Sequence, residues 1–113
     1  MQHFTIPHSA SAIQIPVALH EVVHVEAQGN YVLLTTPGRS LMLRMSFATC
    51  IGMLPSGTGR QIHRSHWVAS RIITGTSARN RRLFLTTTTG KQIPVARNRK
   101  HTITEWVRQL TAS

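Results

Sequence analysis

The groups able to do chemistry in this chain are few: seven histidines, one cysteine, three glutamates and no aspartate. A nucleophile–histidine–acid array would have to draw on Glu21, Glu26 or Glu105, and none of these sits in a local signature with a serine or with Cys50. No catalytic residue is assigned and no enzyme is expected. The lack of aspartate removes most carboxylate-rich metal sites, and Cys50 has no second thiolate with which to form a disulfide or a zinc knuckle. His20 and His24 flank a predicted strand start, where an offset of four residues places side chains on one face but about 13 Å apart. Chelation would need a helix there. His63 and His66 can converge in a turn, but no Cys or Asp joins them nearby. No metal and no cofactor are expected. Gly57-Thr58-Gly59-Arg60 lacks the Gly-Lys-Ser/Thr ending of a phosphate-cradling loop.

The basic residues are more telling. Thirteen Lys and Arg against three acids give the 113-residue chain a formal net charge of +10. Arg39 and Arg44 are balanced by Glu21 and Glu26, so the excess lies in residues 60–113, where only Lys91 and Lys100 among the bases are not arginine. The planar guanidinium suits phosphates and guanine edges, which points to a polyanionic partner. The cations cluster in three segments, Gly59–His66, Ala78–Arg82 and Ala96–His101, read as connections between apolar strands. Hairpins that bring such loops to one edge would make a cationic ridge able to enter a groove without a recognition helix. A solvated surface that only keeps the protein soluble is the plainer alternative.

The elements that must position these loops read as mainly β. Short β-branched runs alternate with turn residues and predict strands over Phe4–Ile6, Ala12–Ile15, Val22–Glu26, Tyr31–Thr35, Leu41–Arg44, His66–Val68, Ile72–Thr76, Leu83–Thr87 and Gln92–Val95. Gln28-Gly29-Asn30, Thr36-Pro37-Gly38, Ala78-Arg79-Asn80 and Thr89-Gly90-Lys91 supply turns. After Ser46, a suitable N-cap, Phe47, Cys50, Ile51 and Leu54 fall at helical spacing. Ile103, Trp106, Val107 and Leu110 repeat that spacing at the end of the chain, predicting a C-terminal helix. Trp67, Trp106, Phe47, Phe84 and Cys50 are expected in the core, with Tyr31 presented at the surface beyond a Gly-Asn turn. The 41% hydrophobic content suffices for one core, and no apolar run approaches the roughly 18 residues of a membrane span. Met1–Ala10 lacks the features of a signal peptide, so a cytoplasmic protein without membrane insertion is expected.

Four segments now stand out together: Val25–Val32 (Val-Glu-Ala-Gln-Gly-Asn-Tyr-Val), Leu43–Phe47 (Leu-Arg-Met-Ser-Phe), Ile62–Val68 (Ile-His-Arg-Ser-His-Trp-Val) and Gly90–Arg97 (Gly-Lys-Gln-Ile-Pro-Val-Ala-Arg). In order and spacing they resemble the signature blocks of the LytTR domain, the DNA-binding domain of bacterial LytR/AlgR-type response regulators. The resemblance covers Phe4 to Leu110. It implies about ten short strands in stacked antiparallel sheets with one short internal helix and a C-terminal helix. It also implies loops that enter successive major grooves of bent promoter DNA. Base-reading positions carry over to Asn30, Arg64 and Arg97, where Asn can pair with adenine and Arg with guanine. Phosphate-binding positions carry over to Ser65, Asn98, Arg99 and Lys100, with Tyr31 and Arg60 beside them. The implied partner is double-stranded promoter DNA carrying direct repeats, on which two copies can sit as a homodimer.

The chain departs from the family pattern at Ala96, where serine is usual, and at His66-Trp67, where an aliphatic or tyrosine-containing pair is usual, a change read as one of packing. Most family members carry an N-terminal receiver domain or a membrane region. With about twenty residues before the first block and no Asp, residues 1–113 read as a single LytTR-like domain without a receiver. That leaves a stand-alone regulator controlled by a separate regulatory protein, or an excised domain. The functional alternatives are a basic RNA-binding or ribosome-associated β module, against which the lack of an exposed aromatic stripe argues, and a protein-interaction module that has lost DNA binding.

Overall fold

Alternation of apolar and polar residues, without long apolar runs, builds the frame. The structure, a computed structural model, describes residues 3–7 and 14–112. Among these, ten strands form three sheets: β1 (His3–Pro7) with β2 (Gln14–Ala18); β3 (His24–Gln28), β4 (Tyr31–Thr36), β5 (Arg39–Arg44), β6 (Gly59–His63) and β7 (His66–Ala69); and β8 (Ile73–Arg79), β9 (Arg82–Thr87) and β10 (Gln92–Pro94). Every pairing is antiparallel. Helix α1 spans Phe47–Gly52 and α2 spans Lys100–Thr111. The mainly β class with an internal and a C-terminal helix is therefore the observed one. The predicted second strand starts at Gln14, and Ala12 and Ile13 lie outside the described residues.

The five-stranded sheet runs β5-β4-β3-β7-β6, so its central seam joins β3 to β7, strands far apart in the chain. Register sets what each face carries. Val25 lies opposite Leu34 on one side and Trp67 on the other, and Val32 opposite Leu43. Directly opposed residues share a face, and all five of these are buried together with Cys50 of α1. Ser46 caps α1 as expected, its hydroxyl accepting from the Thr49 N–H at 3.0 Å. In α2, Ile103, Trp106 and Val107 are buried. Leu110, expected on the same stripe, is 38% exposed, because burial stops one turn before the helix ends.

Strand β6 is the element the sequence concealed. Ile62 is its only large apolar residue, so no alternation announced it, and Gly59 is a weak strand former. Glycine is nevertheless required there, since a Cβ would overlap the Val68 carbonyl oxygen and come within 2.5 Å of the Trp67 ring. A bulge between Gln61 and His63 then shifts the register so that His63 faces His66 across an Arg64-Ser65 turn.

The opposite face of the central seam carries polar groups. His24 and Glu26 alternate with Val25, and His66 lies opposite Glu26. His24 is buried, and its Nε2 shares a 2.9 Å hydrogen bond with Nδ1 of His66. Burial first, then the positive potentials of His66 and Lys91, lower the His24 pKa from 6.5 to about 4. His66 is lowered by burial as well, against the opposing pull of Glu26. Two uncharged rings near neutral pH can share one hydrogen without repulsion. At the departure from the family pattern, His66 thus both hydrogen-bonds to and stacks on His24, and its neighbour Trp67 packs in the core.

Candidate nucleic-acid interface

Hairpin geometry decides which turns meet. Strand β3 ends at Gln28, and Gly29-Asn30 link it to β4, with Gly29 at φ +61°, the position where a two-residue hairpin turn calls for glycine. Because β7 runs antiparallel to β3, its start lies at the same end of the sheet, and the Ala27 N–H donates to the Ser65 carbonyl at 2.8 Å. The turns that carry Asn30 and Arg64 are therefore neighbours. Arg44 comes to this end too, opposite Tyr31.

The third basic segment reaches the same region through the bulge. The carbonyl of Ile62 accepts from the Ala96 N–H at 2.9 Å, and the Val95 N–H donates to Leu83 at 3.0 Å. A single 3₁₀ turn, Arg97–Arg99, follows and leads into α2. Nη1 of Arg99 donates to the Gln61 carbonyl at 2.9 Å, which ties this corner back to β6. His63, Arg82, Pro94, Ala96 and Arg97 surround a common depression of about 250 Å³. Arg82 stands directly beside the predicted site although the sequence offered no reason to prefer it to Arg79 or Arg81. Its place depends on β9 pairing with β10, which only the register supplies.

Asn30, Tyr31, Arg64, Arg97, Asn98, Lys100 and Arg60 are exposed, and Ser65 and Arg99 are half-buried. Arg60 stands somewhat apart from the Arg64 turn. Its guanidinium lies 5.3 Å from the centre of the Trp106 ring and shares a cleft with Arg99 and Thr102, so it extends the basic surface along the first turn of α2. Asn80 and Arg81, at φ +52° and +64°, form a turn with both central residues left-handed, and Arg79 packs over Phe84 at 5.0 Å. Two of the three carboxylates face cations elsewhere: Glu26 lies 3.8 Å from Lys91 and Glu105 lies 2.7 Å from Arg108. Burial, then Arg64 and Arg99, push the His63 pKa below its usual value, so that ring adds no charge to the edge near neutral pH. Among the described residues no helix is long and apolar enough to cross a membrane.

Two of the three antiparallel sheets thus bring the Gly29-Asn30, Arg64-Ser65 and Arg97–Arg99 turns to a common region that carries exposed arginines. Residues 13–108 match the family described as the LytTr DNA-binding domain, and the chain belongs to that family of DNA-binding transcription regulators. A solved structure described as the LytTr DNA-binding domain of a methyl-accepting/DNA response regulator from Bacillus cereus has the same fold. It aligns at a TM-score of 0.69 with 18% identity, over 100% of this chain and 99% of that one. No curated protein matches the sequence.

Proposed function

We propose that this domain binds promoter DNA sequence-specifically by placing loops in major grooves, with Asn30, Arg64 and Arg97 reading bases. The observation that carries the reading is the meeting of three turns from separate parts of the chain, the Gly29-Asn30 turn, the Arg64-Ser65 turn and the Arg97–Arg99 turn, linked by the Ala27–Ser65, Ile62–Ala96 and Gln61–Arg99 hydrogen bonds. A planar guanidinium pairs bidentately with guanine O6 and N7, and a carboxamide with adenine N6 and N7. Ser65, Asn98, Lys100, Tyr31 and Arg60 flank these positions and suit phosphate contacts. Arg99 joins them through the guanidinium nitrogens that Gln61 does not engage. Two copies on direct repeats would double the contact area.

The test is selection of bound sequences from a random duplex pool, with single-stranded DNA and RNA as competitors. A defined duplex motif, resistant to both competitors, is expected. Preferential recovery of single strands or RNA, or no enrichment at all, would reject the reading.

A further inference from the structure

We propose that His24, Glu26 and His66 form a binding site for a divalent transition-metal ion of the zinc class on the polar face of the β3–β7 seam. His20 lies in a 3₁₀ turn, Leu19–Glu21, ahead of β3 and is not part of the cluster. The second imidazole comes instead from across the sheet, 42 residues away in sequence. One donor atom from each of the three residues lies within 4.8 Å of the other two. Two imidazole nitrogens and a carboxylate oxygen are a donor set that zinc-like ions accept while keeping a further position open.

The geometry needs little adjustment. Two imidazoles on one tetrahedral ion stand about 3.3 Å apart at the usual zinc–nitrogen length, against 2.9 Å between Nε2 of His24 and Nδ1 of His66 here. Binding requires the shared hydrogen to pass to the far nitrogen of its own ring, leaving two lone pairs facing the ion. The tautomer changes and no net proton is lost. His63 cannot compete through Nδ1, which accepts the Ser65 N–H at 3.1 Å, but its ring packs edge-on against His66 at 5.3 Å and fixes its orientation. An open cleft of about 320 Å³, lined by His24, Leu33, Thr89 and Lys91 among others, adjoins the cluster and leaves room for a water as fourth ligand. The Lys91 ammonium, 3.8 Å from Glu26 and half-exposed, occupies the cationic role that an ion would take over.

Zinc titrated into the untagged chain, followed by calorimetry and by metal analysis after dialysis, tests the site. One ion per chain is expected. Glu26→Gln and His66→Gln should each weaken binding about tenfold or more, Lys91→Met should tighten it, and His20→Gln and His101→Gln should leave it unchanged. Circular dichroism confirms that each variant remains folded, and Glu26→Gln, at a half-buried position, carries the test if His66→Gln does not fold. Cobalt substituted for zinc should give visible bands of a tetrahedral or five-coordinate ion. Absence of saturable stoichiometric binding, or wild-type affinity in Glu26→Gln, overturns the proposal.

Discussion

Arg99 and Gln61 are joined by a 2.9 Å hydrogen bond from the guanidinium Nη1 to the backbone carbonyl. The bond spans the corner between the strand that leads to Arg64 and the turn that carries Arg97, so it holds the spacing between the two proposed base readers. Arg99→Ala should lower stability by about 1 kcal/mol and weaken the cognate duplex more than a scrambled one. Equal losses on the two duplexes would show that Arg99 supplies charge and no positioning.

Arg64 and Arg97 themselves should behave as readers. Each alanine variant is expected to cost about 1–3 kcal/mol on the selected site and to relax preference at one base position. Binding measured against a panel of single-base operator variants checks this. A uniform loss over the panel would place that arginine on phosphate.

Lys100 gives the contrast, being exposed at the first position of α2. Lys100→Ala should weaken all duplexes alike and reduce the salt slope by about one. For the parent protein, neutralising about six phosphates gives a slope of log K against log salt near −5. A slope that is flat in the parent, or unchanged in the variant, contradicts these contacts.

Gly59→Ala should destabilise the domain by about 1–3 kcal/mol through overpacking, since the new methyl meets the Val68 carbonyl and the Trp67 ring. Backbone and ring there both belong to the core and have little freedom to move aside. Thermal unfolding reads the effect, and a variant as stable as the parent would show that β6 can shift outward.

Cys50 is 1% exposed, and burial raises its pKa from 9.0 to about 11. The folded protein should resist alkylation at pH 8 and react at once in denaturant. Because the native state holds the proton more tightly, this thiol's contribution to stability is complete below pH 9 and is lost as pH rises towards 11. Native-state alkylation at the rate of a free thiol would place Cys50 outside the core.

Much of the frame was readable because a buried strand face or helix stripe leaves a period in the sequence. Val32 and Leu34 alternate with partly or fully exposed neighbours, and Phe47, Cys50 and Ile51 keep helical spacing after the Ser46 cap. Strand β6 left no such period, because its burial rests on Ile62 alone and its place is held by a glycine that lets Val68 and Trp67 approach. The candidate interface was legible as clusters of arginine in connections, and the family resemblance added Asn30 from the neutral half. Arg82 and the His24–Glu26–His66 cluster were not legible, since both depend on which strands pair and in what register. His24 alone reads as a polar residue at a strand start.

The order β5-β4-β3-β7-β6 also shapes how the domain folds. The β3–β4–β5 meander and the β6–β7 hairpin each form from local contacts, whereas joining them at the β3–β7 seam closes a loop between residues 42 apart. That closure is the entropically costly event, so Val25 and Trp67 are expected in the folding nucleus. Mutations there should slow folding, whereas changes in the Asn30 or Arg64 turns should mainly speed unfolding. An ion held by His24, Glu26 and His66 needs the seam already closed, so it would lengthen the lifetime of the folded domain without hastening its formation.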